Sequence, residues 1–366
     1  MTNRAEAVIN LSAIKSNVAT LKAKAGVDLM AVVKADAYGH GLIPVAKCAI
    51  DAGATWLGVA ILEEAITLRE AGIKAPIISW LTPPSSDFKK AIELDIDLAI
   101  PSLKHLELVL AAGKALGKKP RVHIEVDTGM TRGGLLGEWP EFLIAIKGAD
   151  LEVVGFWSHF ARADEPNEIA NQNQVSDFES KLAELQGIGI TPKYIHLANS
   201  AAALTNEGAH KNIIRLGIAM YGLSPDVTTL GTSLELDLEP AMTLKAEIHL
   251  VKRVPAGSPV GYGGTQLTSS DTKLAIIAMG YSDGIPRNTS STAGVFVAGR
   301  KAAIIGRVSM DQFIVDLGAD SNAVTGDIAE VFGPLGYSID EWAAASGTIN
   351  YEIVTRIAAR VPRIYA

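Results

Sequence analysis

The stretch DLMAVVKADAYGHG, residues 28–41, begins as an unbroken apolar run and ends in a lysine, a tyrosine and two glycines. An apolar run without alternation is the pattern of a strand covered on both faces, as in a parallel sheet flanked by helices. Seven more runs of this kind follow before residue 220: TWLGVA (55–60), APIISW (75–80), DIDLAI (95–100), RVHIEV (121–126), EVVGFW (152–157), KYIHL (193–197) and IIRLG (213–217). Between them apolar residues recur every three or four positions, as in LEEAITLREAG (62–72), SLKHLELVLAAGKALG (102–117) and NQVSDFESKLAELQG (173–187), and glycine closes the pattern. Eight strand–helix alternations predict a (β/α)8 TIM barrel. The competing topology is a doubly wound open sheet. No Gly-x-Gly-x-x-Gly follows the first strand, which weakens it.

The texture changes after about residue 233. Runs such as AMTLKAEIHLVKRV, KLAIIAMG, GVFVAG and QFIVDLG are short, with Gly, Pro and Asp between them. They predict a mostly β domain. One helix is expected late in it, because SIDEWAAAS (338–346) opens with the Ser338–Glu341 capping box. The expected domains are a barrel over 1–233 and a β domain over 234–366, with the first strand-like residues of the chain as candidates to join the latter.

Bulk properties narrow the function classes. The 366 residues suffice for a large barrel plus a second domain, and 48% apolar content argues against disorder. The formal charge is −7. The one basic cluster, KALGKKPR (114–121), reads as the solvated end of a helix, so nucleic acid is not an expected partner. The single cysteine, Cys48, allows no intrachain disulfide and sits in an apolar helical stretch as a packed thiol. No signal-peptide core and no membrane-spanning run are present, so a soluble cytoplasmic protein without membrane contact is expected.

In this fold, active sites are built at the carboxyl ends of the strands. Strand one ends in Lys34, with Tyr38 just beyond. Strand five runs into DTGMTRGG, with Asp127 and Arg132. Strand six runs into SHFARAD, with His159; strand seven into ANS, with Asn199 and Ser200. Strand eight carries Arg215, followed by GIAMYG. One polar group at a strand end is solvation. Two arginines, a lysine, a histidine and a serine on one rim need another explanation. A lysine in a rim pocket can form a Schiff base with an aldehyde. The loops after strands seven and eight form the usual phosphate site of this fold. Ser200 offers a hydroxyl there, and backbone N–H groups near Gly217 and Ile218 can approach a phosphate closely. An aldehyde trap beside a phosphate cradle suggests pyridoxal 5′-phosphate. No metal is expected.

Ten stretches carry a resemblance: VVKADAYGHG, VDTGMTRGG, SHFARAD, HLANSAA, RLGIAMYGL, VGYGGT, MGYSDGIPR, RVSMDQ, INYEIV and RVPRIY. In this order the chain resembles bacterial alanine racemases, fold-type-III pyridoxal-phosphate enzymes, over essentially its whole length. The resemblance implies a barrel followed by a β domain, and a head-to-tail homodimer with composite active sites. It implies interconversion of L- and D-alanine, supplying D-alanine for peptidoglycan.

Carried over residue by residue, the resemblance makes Lys34 the cofactor anchor and one of two proton-transfer bases. Tyr262 of the partner's β domain would be the other. Two bases on opposite faces remove a proton from one side and return one to the other. A tyrosine near pKa 10 needs help to act as a base. His159 and Arg215 would provide it through a hydrogen-bonded chain. Arg215 would face the cofactor's ring nitrogen and, staying protonated itself, leave that nitrogen unprotonated. Tyr38, Asn199, Ser200, Gly217, Ile218 and Tyr351 would bind the cofactor, most of them at its phosphate. Arg132, the Met310 backbone N–H, Asp311 and Tyr281 would contact the substrate, and Tyr262 with Tyr351 would narrow the entrance.

Two departures stand out. Many relatives have a carbamylated lysine two residues before the Asp of DTGM. Here that place is Glu125, expected to supply Arg132 with a permanent carboxylate. Ser309 stands where some relatives have cysteine. The near alternative is a serine or broad-specificity racemase using the same residues. A fold-type-III decarboxylase would want a stronger electron sink than Arg215 permits. A small pyridoxal-phosphate carrier would lack the residues after 233.

Overall fold

The computed structural model describes residues 3–366, which divide into two units by their contacts. One comprises Ala13–Ala37 and Leu42–Glu239. Its strands are Asp28–Val32, Trp56–Val59, Ile77–Ser79, Asp97–Ile100, Arg121–Glu125, Glu152–Trp157, Tyr194–His196 and Ile213–Leu216. Each lies within one of the eight apolar runs. All pair in parallel with their neighbours, and the first pairs with the eighth. The seventh and eighth are joined by backbone bonds from Asn212 to Ile195 and from Arg215 to Ala198. The Asn212 side chain also accepts from the Ile195 N–H at 2.7 Å. These bonds complete an eight-stranded parallel barrel with helices between its strands. Burial of both strand faces explains the unbroken apolar runs. Met30, Trp56, Ile78, Val154 and Ile213 form a packed cluster inside it, with Trp80 and Tyr194 against them.

The helix expected over 102–117 ends where the sequence says it should. Ser102 caps Leu103–Leu116 by accepting from the His105 N–H, and Gly117 closes that helix in the left-handed region. Beyond it, Lys118 pairs with Asp95 and Lys119 with Asp150, so the basic cluster is balanced locally. Cys48 is buried, and burial pushes its thiol up.

The other unit comprises the N-terminal residues up to Ser12, Tyr38–Gly41 and Pro240–Ala366. Six strands form a closed ring in the order Thr272–Ile277, Phe313–Asp316, Arg300–Ile304, Gly294–Val297, Ile328–Phe332 and Met242–Val254, the last returning to the first. Met242–Val254 serves two partners. An irregularity between Ile248 and Leu250 turns it from Ile328–Phe332 toward Thr272–Ile277. Its outer edge is covered by Ala5–Ile9, antiparallel, and Arg363–Tyr365 lies parallel to that strand. The expected helix is Ile339–Ala345. Its capping box is formed, Ser338 Oγ accepting from Glu341 N at 3.0 Å and Glu341 Oε2 from Ser338 N at 2.6 Å. Among the described residues no helix is long and apolar enough to cross a membrane.

Candidate active site

Lys34 lies two residues beyond the end of the first barrel strand, half-buried at its carboxyl end. The backbone then does something the sequence did not announce. Ala35, Asp36, Ala37 and Tyr38 all have φ of 53°, a complete left-handed turn without a glycine. Such a conformation costs about 1–2 kcal/mol per residue, so other bonds must impose it. Glu64 Oε1 accepts from the Ala35 N–H at 2.6 Å, while its Oε2 accepts from Ala60 and Ile61 at 3.1 and 3.3 Å. Asp36 Oδ1 accepts from Leu42 N at 2.8 Å. The turn fixes the backbone from which the Lys34 side chain departs. Burial lowers the Lys34 pKa, and the positive charge of Arg132 lowers it further, partly opposed by Glu64.

The DTGMTRGG loop is folded around one carboxylate. Asp127 Oδ1 accepts from the N–H groups of Gly129, Met130 and Thr131 at 2.8, 3.1 and 3.1 Å. Arg132 emerges from it exposed. Gln174, on the helix Ile169–Gly187, ties this loop to SHFARAD. Its amide nitrogen donates to Thr128 Oγ1 at 3.1 Å and to the His159 carbonyl at 3.0 Å, and its oxygen accepts from Ala161 N at 2.9 Å.

Arg215 is 4% exposed. Nη1 donates to the His196 carbonyl at 2.8 Å; Nη2 donates to the carbonyls of Ser158 at 2.8 Å and Leu197 at 3.1 Å. Nη2 also lies 3.2 Å from His159 Nδ1, and Nη1 3.3 Å from His196 Nδ1. The guanidinium sits over the Trp157 ring at 5.2 Å. Burial pushes its pKa down to about 9, with Glu125 opposing and Arg132 adding to the shift. It remains cationic at neutral pH. Burial, then Arg215, Arg132 and Lys34, hold the His159 imidazole well below its ordinary range. His159 is therefore neutral, and its contact with an obligate donor makes Nδ1 the acceptor.

Glu125 differs from expectation. Its carboxylate faces the loop backbone, where a Cβ on Gly133 would lie 3.2 Å from Oε1. Among the described residues no ion pair joins it to Arg132. Burial raises its pKa to about 7, against the pull of Arg132 and Arg215 and with the repulsion of Asp127. A side chain this short, starting from a strand end, keeps its carboxylate among partly buried neighbours. It is half-ionised near neutral pH, not permanently charged.

Asn199 caps the short helix Ser200–Thr205, accepting from Ala202 N at 3.0 Å. Ser200 is buried, and its hydroxyl oxygen accepts from Gly217 N at 3.0 Å and Ala219 N at 3.4 Å. Ile218 begins the short 3-10 segment that follows. The barrel rim thus brings together Lys34, Arg132, His159, Asn199, Ser200, Arg215, Gly217 and Ile218.

The remaining candidates belong to the β unit. Tyr38 and Tyr351 have ring centroids 6.3 Å apart, and burial pushes the Tyr38 phenol up. Tyr281, Met310 and Asp311 share a second locus. Tyr281 N donates to the Ser309 carbonyl at 3.0 Å and Ser282 N to that of Met310 at 2.9 Å. This approach needs glycine at 280, because a Cβ there would meet both carbonyl oxygens at 2.4 Å. Ser282 Oγ donates to Asp311 Oδ1 at 3.0 Å. Asp311 is held below its usual range by that hydroxyl and by Arg360. Tyr262 stands on the turn between Pro259–Val260 and Gln266–Leu267, 70% exposed.

A parallel barrel with a lysine just beyond its first strand, and two arginines and a histidine on the same rim, defines a barrel enzyme with its site at the strand carboxyl ends. The chain matches the family of alanine racemase N-terminal domains over residues 9–225 and that of C-terminal domains over 241–365. It is 45% identical to an alanine racemase of Salinispora tropica, over 99% of this chain and 98% of that one. An alanine racemase of Thermobifida fusca is also 45% identical, over 100% of this chain and 99% of that one. The crystal structure of alanine racemase from D-cycloserine-producing Streptomyces lavendulae superposes with a TM-score of 0.98 at 45% identity, covering 100% and 98% of the two chains. The alanine racemase of Bacillus anthracis with bound L-Ala-P gives 0.90 at 38% identity, covering 100% and 96%. The chain belongs to the alanine racemase family, which is pyridoxal-phosphate-dependent.

Proposed function

We infer that the protein is a pyridoxal-phosphate-dependent alanine racemase, an isomerase interconverting L- and D-alanine for peptidoglycan. The observation that carries this is the shared rim of Lys34, Arg132, His159 and Arg215 in a chain that matches the family along its length. The donor set fits the cofactor: an amine that deprotonates more readily than usual, a buried guanidinium, and a hydroxyl–amide pair at Ser200 and Gly217. Lys34 would hold the aldehyde carbon. Ser200, Asn199, Gly217, Ile218, Tyr38 and Tyr351 would serve the phosphate end. The contacts of Arg215 to carbonyls and imidazoles all use Nη1 and Nη2. That leaves its Nε–H as the donor that would face the ring nitrogen. When bound, the cofactor supplies an electron-withdrawing ring that acidifies the α-C–H of an amino acid joined to it.

This chain's residues then move the proton. Lys34 serves one face of the α-carbon. Tyr262 of a second copy serves the other, which makes the working form a homodimer with composite sites. His159, neutral and accepting from Arg215 at Nδ1, presents Nε2–H and can stabilise a phenolate on that tyrosine. Arg132 would hold the substrate carboxylate, with the Met310 N–H and Asp311 brought to it by the second copy. Tyr262 with Tyr351 would restrict the entrance to a small side chain, and Tyr281 would contact the substrate. A cytoplasmic location belongs to the same reading.

The test incubates purified protein with L-alanine and L-serine separately and follows optical rotation. Rotation is expected to decay fastest with alanine. A visible band from the lysine-bound cofactor should vanish on borohydride treatment and be absent from Lys34→Ala. Racemisation of neither amino acid would sink the reading.

A further inference from the structure

Three buried polar side chains inside the barrel have no part in the chemistry above, yet they line up on Arg215. His196 Nδ1 is 3.3 Å from Arg215 Nη1. His196 Nε2 is 2.9 Å from His123 Nδ1. His123 Nε2 is 3.3 Å from Asp97 Oδ2. Asp97, His123 and His196 are 1%, 0% and 1% exposed. The far end is clamped by Arg121, whose Nε donates to Asp97 Oδ1 at 2.8 Å and Nη2 to Oδ2 at 3.1 Å.

The two ends dictate where the protons lie. A guanidinium only donates, so His196 Nδ1 must accept. His196 then carries its proton on Nε2 and donates to His123 Nδ1. His123 in turn carries its proton on Nε2 and donates to Asp97. The reverse arrangement would set Nδ1–H of His196 against an Arg215 N–H, and a bare His123 nitrogen against a carboxylate. A second proton on either ring produces the same donor–donor clash. Burial, His123 and Arg215 also keep His196 well below its ordinary pKa.

The packing is built for this line. A Cβ on Gly155 would lie 2.0 Å from His123 Nδ1, so the glycine in EVVGFW leaves the room that lets the two imidazoles meet. Trp56 meets His123 edge-on at 5.0 Å, and Trp157 stacks on His196 at 5.7 Å with a 3° interplanar angle. Neither ring can turn over without disturbing a tryptophan.

We propose that Asp97, His123 and His196 are positioning residues, a buried relay that fixes both imidazoles as Nε2–H tautomers and so aims the Arg215 guanidinium. The relay rests on the reading of Arg215 as the partner of the cofactor ring for its consequence, but not for its existence. A carboxylate behind an imidazole strengthens the acceptor nitrogen on the other side, as it does for metal-bound histidines. It thereby holds Arg215 charged and in one plane.

The decisive measurement is the histidine tautomer state in ¹⁵N-histidine-labelled holoenzyme near neutral pH, from two-bond ¹H–¹⁵N spectra assigned by single His→Gln variants. Nε2–H is expected for both His123 and His196. Asp97→Asn places an amide donor where the line ends on an acceptor. It should invert or scramble the His196 tautomer, shift the cofactor's visible band, and lower kcat about 10–100-fold. His123→Asn, which keeps an acceptor at the Nδ1 position, should preserve the His196 tautomer and recover most of the kcat that His123→Leu loses. A merely structural Asp97 would lower the melting temperature and leave the tautomer alone. The proposal is overturned by an Nδ1–H or doubly protonated ring in the wild type, or by an unchanged tautomer and kcat in Asp97→Asn. Should Arg215→Lys leave the visible band and kcat unchanged, the ring-partner reading fails instead, while the wild-type tautomers still judge the relay.

Discussion

Each unit holds an aspartate with 1% exposure or less, Asp97 and Asp283, and the two do different things. Asp97, in the barrel, is gripped by Arg121 and hands its remaining acceptor capacity to His123. Asp283, in the β unit, is 0% exposed and is gripped by Arg4 and by Arg360, the latter at 2.8 Å. Its Oδ2 also accepts from Gly280 N at 2.9 Å, and Arg360 reaches on to Ser282 at 2.9 Å and Asp311 at 2.9 Å. One anion acts inward, through side chains, on a buried cation. The other acts outward, through backbone, on a loop whose Tyr281 and Met310 remain exposed. On the barrel side the buried cation is held by carbonyls and imidazoles of its own unit. On the β side a fixed backbone presents Tyr281 and Met310 to the surface.

The largest effects test that division. Lys34→Ala should lower racemisation by roughly 10³-fold or more, and Tyr262→Phe by about 10²–10⁴-fold, since each removes one proton-transfer base. Mixing the two inactive variants sharpens the comparison. If sites are composite, each hybrid dimer has one site with both bases intact, and reassociated mixtures recover about a quarter of wild-type activity. Recovery of nothing, with hybrids demonstrated by mass, would place both bases in one chain and break the division.

A smaller effect separates the aspartates. Asp283→Asn removes the charge that holds Arg4, Arg360 and the Gly280 loop. It should cost roughly 3 kcal/mol by denaturant titration. It should also raise KM for alanine severalfold, because Met310 and Asp311 lose their support, while the cofactor's visible band stays in place. A shifted band with an unchanged KM would mean that the outward and inward roles had been assigned to the wrong aspartates.

Much of the fold was legible because a strand covered on both faces cannot hide. EVVGFW and IIRLG read as buried strands from composition alone, and SIDEW announced its helix by a capping box. The turn after Lys34 was not legible. Ala-Asp-Ala-Tyr has no glycine, and its left-handed form is imposed by Glu64, a residue twenty-six positions beyond Tyr38 that sequence reading leaves on a helix surface. The partner of Ala5–Ile9 depends on pairing across more than two hundred residues. On the rim, residues at strand ends could be collected because the barrel says where to look. His123 and His196 could not, since one histidine in an apolar run looks like a tolerated core polar group until its neighbour is known. Gln174 was hidden for the opposite reason: a glutamine on a helix is ordinary until it is seen bonding two loops.

The smallest effect concerns Glu125, which lies between these cases: the motif singles out its position, but its charge state depends on surroundings that only the structure supplies. Its folded-state pKa of about 7 lies above the ordinary 4.5. The folded protein therefore binds this proton more tightly than the unfolded chain does. The stability it contributes is fully present below pH 4.5 and is lost as pH rises through about 7. Wild-type protein should lose thermal stability relative to Glu125→Gln between about pH 5 and pH 8. The KM for alanine should lose part of its pH dependence over that range in the variant, since the group that alternately attracts and releases Arg132 is gone. Parallel stability curves for the two proteins would mean that Glu125 is ionised throughout, and the expectation of a permanent carboxylate beside Arg132 would be restored.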